Sequence, residues 1–529
     1  MNETLPDMLP GDIRPPGRLT LSLALISVVV VLYLPLARYP FIQDDWALIH
    51  TFMFSGAGET LRSALSPAGA LFYRPAGILY CAANYLLFGL HPAGFHLLAA
   101  GLLALSAFLV VAIAGRLTGD ALTSWGSGFV YAAAATIHFE SQMWMVGIFD
   151  IGSNLCALLC LLAFMKNRNA ASAAWFALAL GFKEAPTVFP LVLVAAALLV
   201  PRHGVERPIA VLAGRLRVHG AVLAAFIACK AAGVSLFSLP LGHPYAARLA
   251  GAHTLDHIQL YTRWGMQAIL PLKNIHFTET SFLVFFIGGI AALPALIYAA
   301  LRRSSPDTYE WSSRGRTLAF LATWYCLAIL PPVSLHTQVF RYYLGAALAP
   351  MAIAAMMFLR GLSDSLPATA RRFGVVCLLF AGMNIVDGAL FVQERISQGT
   401  GDGEPAPTRE GYNHLMRKAS LVRAVWKPLL DVLPAVPPHA VIVIPGFDTG
   451  CFEDRFGPEV WYGDSTLRVT GAAPLGSTSP DTLRIELPPE NHWKVPPDTT
   501  VVGVPANRVF TVWYLDRTME IPAAPATPR

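Results

Sequence analysis

Charge is what this sequence has least of: only 13% of its 529 residues are Asp, Glu, Lys or Arg. The surface of a soluble globular domain raises that share to about 25%, so a soluble enzyme is excluded. Cysteine is sparse as well. Of seven, Cys81, Cys156, Cys160, Cys229, Cys326 and Cys377 stand in apolar surroundings and only Cys451 in a polar stretch, so neither a disulfide framework nor a Cys/His metal spacing is present. The chain also has no Walker phosphate loop, no Rossmann glycine fingerprint, no HExxH and no internal repeat. A nucleotide-binding site of these kinds and a nucleic-acid partner are therefore not expected.

What is abundant is apolar surface. Hydrophobic residues make up 55% of the chain and mean hydropathy is +0.52, which defines an all-α polytopic membrane protein. Apolar runs predict spans near 19–37, 94–115, 122–139, 148–165, 170–182, 186–200, 218–237, 281–301, 317–335, 341–359 and 373–393, about eleven helices in all. The first run is too long for a signal-peptide core, and PLARYP lacks a small-x-small cleavage site, so it reads as an uncleaved span. With the N-terminus cytoplasmic, the clusters at Arg116, Lys166 and Arg168, Arg202 to Arg217, Arg302 to Arg316 and Arg360 to Arg372 all fall on the inner side, as the positive-inside rule requires. Counting 75–90 as a further span would reverse every later cluster, so YRPAGILYCAANYLLFGL is expected to lie along or dip into the outer surface, with an ordinary twelfth span as the alternative. This divides the chain into a cytoplasmic tail (1–18), a transmembrane domain (19–393) with an outer loop (38–93), and a small non-cytoplasmic C-terminal domain (394–529). In that last part 408–433 has helical character, and HAVIVIPG, DTLRIELPP and RVFTVWYL read as strands separated by turns, an α+β pattern.

Polar residues in such a chain need a reason. Asp44 and Asp45 follow the first span in FIQDDWALIH. Adjacent residues do not share a helix face, so one carboxylate serves as general base while its neighbour orients it, or the two hold a divalent cation such as Mg2+ or Mn2+; alternatively one caps the helix starting at WALIH. Arg74, ahead of Pro75, is placed to bind a lipid-linked phosphate or to snorkel to headgroups. His138, Glu140 and Asp150 lie in an outer connection and form an acceptor or metal pocket unless they are ordinary loop polarity. Lys183 and Glu184 interrupt an apolar tract, where ionisable groups face a cavity or pair with each other. Lys230 and Asp387 fall inside predicted spans, where charge is expensive. In SLHTQVFRYYLGAALAP, His336 and Gln338 lie outside while Arg341, Tyr342 and Tyr343 head a late span, as a phosphate clamp or an aromatic belt.

Taken together, the Asp pair after span one, the R-P of the next helix, the H-x-E with a downstream acid, the K-E between short spans and the late R-Y-Y resemble the GT-C superfamily of polytopic glycosyltransferases. The likeness covers roughly 19–393. It is to protein O-mannosyltransferase-like, transmembrane TPR mannosyltransferase-like and aminoarabinose transferase-like enzymes. It implies hexosyl or pentosyl transfer from a polyprenyl-phosphate sugar to a lipid, glycan or protein acceptor on the non-cytoplasmic face of a bacterial inner membrane, with membrane lipids around it. It also implies Asp44 or Asp45 as base and Arg74 on the donor phosphate; the H-x-E and R-Y-Y positions map to His138, Glu140, Arg341 and Tyr342. Two departures stand out: Asp-Asp replaces the Asp-Glu of many members, and no TPR repeats follow. The competing expectations are a transporter or flippase of a lipid-linked sugar, and a non-catalytic polyprenyl-binding relative.

Overall fold

A computed structural model describes residues 17–200, 209–273, 308–364 and 373–398 with short gaps, and parts of 415–514. Among the described residues six helical stretches are long and apolar enough to cross a membrane: Arg18–Arg38, Pro92–Thr118, Met145–Met165, Val211–Ala231, Arg314–Val333 and Arg341–Gly361. Pro75–Phe88, Asn169–Phe182 and Ala185–Leu199 are shorter apolar helices. The chain is a multi-pass membrane protein. The span expected at 281–301 lies outside the described residues.

Local chemistry sets the ends of these helices. Helix α1 (Arg18–Tyr33) tightens into a 3-10 turn at Leu34–Arg38, because Pro35 has no N–H to continue the α pattern. Helices α2 (Asp44–Phe54) and α3 (Gly56–Leu65) follow, and α4 (Pro75–Phe88) begins on a proline whose fixed φ suits a first turn. The close packing of α4 on the 148–165 helix requires Gly77: a Cβ there would lie 2.2 Å from Phe149 Cδ1. Helix α5 (Pro92–Thr118) starts on proline and ends at Gly119, φ +68°, the left-handed residue that closes a helix.

The expected span 122–139 is two helices. Asp120 caps α6 (Ala121–Ala132) through Thr123 N–H, 2.7 Å; α7 (Ala135–Met143) starts anew after the break, and His138 Nε2 donates to the Tyr131 carbonyl across it, 3.0 Å. Next come α8 (Ile148–Met165), α9 (Asn169–Phe182) and α10 (Phe189–Leu199). Helix α11 (Ile209–Ala231) begins earlier than 218, which moves Lys230 from mid-span to the last turn. There its Nζ donates to the Leu71 carbonyl and to the Val234 carbonyl, 3.1 Å, both outside the helix. Helix α12 (Ala252–Ile269), amphipathic and unforeseen in the sequence, fills part of the expected outer loop. Helices α13 (Thr308–Val333), α14 (Gly345–Asp364) and α15 (Phe373–Gln398) complete the bundle. Asp387, in α15, accepts from Lys273 N–H, 2.7 Å, and pairs with Lys273 Nζ at 3.6 Å: the cost of a charge at this depth is met by a buried partner.

The C-terminal part holds a short helix α16 (Phe456–Tyr462) and four strands, β1 (Val441–Val443), β2 (Arg468–Thr470), β3 (Leu483–Leu487) and β4 (Val509–Tyr514). They form one sheet in the order β2-β1-β4-β3, parallel throughout. Three of the strands match the expected segments; β2 does not. The connections between these strands lie largely outside the described residues.

Candidate functional site

Asp44 and Asp45 open α2 but occupy unlike places. Gln43 before them has φ +49°, a conformation costing about 1–3 kcal/mol for a non-glycine residue. Three hydrogen bonds to Asp45 hold the bend. Its Oδ2 accepts from Ile42 N–H (3.0 Å) and Met145 N–H (3.3 Å), and its Oδ1 from Val146 N–H (3.1 Å). Asp45 is fully buried. Burial raises its carboxyl well above the ordinary aspartate value, and the three backbone donors oppose that rise. Among the described residues no group of three His, Cys, Asp or Glu is arranged to hold a metal.

Asp44 is exposed and lines a cavity of about 230 Å³. Desolvation by the surrounding walls raises its carboxyl, opposed by the positive charges of Lys418 and Arg74. Across the cavity stand two cation–carboxylate pairs. Arg74 donates from Nε and Nη2 to Glu184 (3.0 and 2.8 Å), and Lys183 Nζ reaches Asp150 Oδ1 at 2.6 Å. Lys183 and Glu184 thus pair crosswise with residues of α8 and of the loop before α4, not with each other. Burial raises Glu184, but Arg74 and then Lys183 outweigh it and hold the carboxyl at about 2. Burial lowers Lys183, with Asp150 opposing.

The remaining walls are aromatic: Phe72, Trp144, Phe149, Tyr245, Tyr342 and Tyr343. The Lys183 ammonium lies 4.4 Å from the Tyr343 ring centroid and the Arg74 guanidinium 4.2 Å from that of Phe72, which keeps both cations partly solvated by π faces. Such a wall suits the C–H faces of a sugar ring, while the polar groups suit its hydroxyls.

Other sequence candidates stand elsewhere. His138 is buried between the rings of Tyr33 and Tyr131. It meets the site only behind the cavity, at a void of about 10 Å³ shared with Asp150 and Tyr342. Glu140 turns toward Arg341 and Arg395, whose charges oppose the rise that burial imposes on its carboxyl. Arg341 donates to Gln267 Oε1 at 3.1 Å and lies 5.0 Å over Trp264. His138 and Asp150 thus share only the small void behind the cavity, while Glu140, on the same helix as His138, faces Arg341 and Arg395. Sequence reasoning missed Phe72, Trp144 and Tyr245, which carried no signal beyond aromatic character.

Comparison with known proteins agrees with this architecture. The fold is similar to that of ArnT from Cupriavidus metallidurans in a crystal structure bound to undecaprenyl phosphate, with 12% identity, a TM-score of 0.50 and 86% of each chain covered. The apo ArnT structure gives 13% identity, a TM-score of 0.50, and 85% and 86% coverage. The apo oligosaccharyltransferase of Archaeoglobus fulgidus superposes with a TM-score of 0.46 at 11% identity, over 87% of this chain and 65% of that one. No protein-family model and no curated protein sequence matches the chain. The likeness to these solved structures is one of fold.

Proposed function

We propose that this chain is a membrane glycosyltransferase that moves a sugar from a polyprenyl-phosphate carrier to an acceptor hydroxyl, with Asp44 as general base. One observation carries the reading: Asp44 is the cavity carboxylate without an ion pair among the described residues, facing two fixed cations across an aromatic pocket. The acceptor O–H gives its proton to Asp44 as its oxygen attacks the anomeric carbon. The bond from that carbon to the carrier phosphate breaks, and the phosphate leaves with the electron pair. Arg74 and Lys183, preorganised by Glu184 and Asp150, face the charge that develops on it. Base and leaving group on opposite faces of the sugar give inversion in a single displacement. In this reading Asp45 touches no substrate; it positions Asp44.

The same reading puts the cavity on the non-cytoplasmic side. Helix α8 carries Asp150 in its first turn and Lys166 just past its last, about 24 Å apart at 1.5 Å per residue. Arg215 donates to the Phe164 carbonyl (2.7 Å) and to Asn169 Oδ1 (3.3 Å) beside Lys166 and Arg168. Lys166, Arg168 and Arg215 thus lie toward one end of α8 and the cavity toward the other, which in this reading fits a bacterial inner membrane with the C-terminal part in the periplasm.

The test is mass spectrometry of glycolipid, glycan and glycoprotein pools from cells lacking the chain, complemented by wild type or Asp44→Asn. A sugar modification restored by wild type alone supports transfer and names the acceptor. Full restoration by Asp44→Asn overturns it in favour of transport.

A further inference from the structure

The segment that delivers Arg74 to the cavity is not helical. Between α3 and α4, residues 70–74 run without regular structure, and two of them, Phe72 and Arg74, line the cavity. The carbonyls of such a segment have no helix to satisfy them and need donors from elsewhere. The end of α11 supplies two. Val234 N–H donates to the Ala70 carbonyl at 3.0 Å, and the half-buried Lys230 donates from Nζ to the Leu71 carbonyl. The same ammonium donates to the Val234 carbonyl at 3.1 Å, so one side chain ties the two segments together. Their backbones approach closely: a Cβ on Gly233 would overlap the Ala70 carbonyl oxygen and lie 3.0 Å from that of Pro67. Tyr73 lies beside Phe226 of α11, 6.2 Å between ring centroids. Toward the cavity the 70–74 segment meets the outer connection after α11 again, where the rings of Phe72 and Tyr245 stand edge-on at 4.8 Å.

We propose that Lys230 is a positioning residue of the cavity: by tying the 70–74 segment to the end of α11 it sets where Phe72 and Arg74 stand, and so fixes the guanidinium that faces the phosphate of a polyprenyl carrier. Glu184 orients that guanidinium from its far end, while Lys230 fixes the backbone from which it extends. A lysine in a membrane-spanning helix is expensive, and a charged donor holds carbonyls about twice as strongly as a neutral one. The tether gives the charge a task. Its effect on carrier binding rests on the proposed function; the tether itself does not.

The test uses the full chain in lipid nanodiscs, with hydrogen–deuterium exchange of the backbone and binding of undecaprenyl phosphate by native mass spectrometry as the two readouts. Lys230→Met is expected to speed exchange of the 70–74 amides and to weaken binding about tenfold, the worth of one hydrogen bond to a charged group. Lys230→Arg, which keeps a charged donor, is expected to restore both. Gly233→Ala presses on the Ala70 carbonyl without altering any charge and is expected to act in the direction of Lys230→Met. In an Arg74→Ala background Lys230→Met should cost no further binding, since it acts through Arg74. Unchanged exchange in both Lys230→Met and Gly233→Ala overturns the tether. Faster exchange with unchanged binding, or an equal further loss in the Arg74→Ala background, overturns the positioning role. If wild type itself binds no undecaprenyl phosphate, the carrier reading falls and exchange alone decides the tether.

Discussion

The two sides of the α2 start are chemically unlike. Toward the cavity, Asp44 is exposed, carries no ion pair among the described residues and faces cations that already have partners. Toward the seam with the α7–α8 connection, Asp45 is fully buried and accepts three backbone hydrogen bonds. Two carboxylates one residue apart thus divide between chemistry and architecture, because a helix turns adjacent side chains about 100° apart. A protein can place a costly buried charge next to a reactive one, and use the first to fix the second.

The sharpest way to break this contrast is to neutralise each carboxylate in turn. Asp44→Asn is expected to lower transfer by about 10²- to 10⁴-fold, the usual worth of a general base. Its melting temperature in detergent should stay within a few degrees of wild type. Wild-type turnover in this variant would exclude Asp44 from the chemistry. Asp45→Ala should do the reverse. Three buried N–H groups lose their acceptor, at about 1–3 kcal/mol each before relaxation, so the folded, monodisperse fraction on size exclusion should fall sharply. A normal yield and melting temperature would show that the seam holds without it.

Smaller effects sharpen the picture on the opposite wall. Glu184→Gln leaves the Arg74 guanidinium without its carboxylate and is expected to cost about 1.5–3 kcal/mol, read as a lowered melting temperature. If the proposed function holds, it should also weaken binding of a polyprenyl phosphate, since Arg74 becomes mobile. No change in either measurement would show that Arg74 is held by the fold without Glu184. The pH dependence follows with a definite sign. A Glu184 carboxyl held at about 2, against about 4.3 in the unfolded chain, adds stability that is complete above pH 4.3 and lost as pH falls through 2. Wild type should therefore lose its advantage in melting temperature over Glu184→Gln across that window. A difference that stays constant there would show that Glu184 is not held low.

Much of the membrane domain was legible in one dimension. Apolar runs mark helices whatever packs around them, because hydrocarbon demands internally satisfied backbone over roughly 20 residues. Pro75, Pro92 and Gly119 mark helix ends for local steric reasons that need no tertiary context. The break between α6 and α7 was not legible, since the AAAAT run carries no proline or glycine at 132–136. Nor was α12, whose amphipathic pattern falls below the hydropathy that marks a span. The parallel direction of the β strands was hidden too, because alternation and length are the same in either direction.

For the site, the sequence by itself determined which residues were costly: an acidic pair, Arg74, Asp150, Lys183 and Glu184 in an apolar chain have to be paired, solvated or used. Only the tertiary structure decided which fate each met. Pairing Arg74 with Glu184 bridges 110 positions, and Asp45 reaches Val146 across 101; no local pattern encodes such distances. They follow from helix packing, and that packing buries one carboxylate of an adjacent pair in backbone N–H groups while leaving the other open to the cavity.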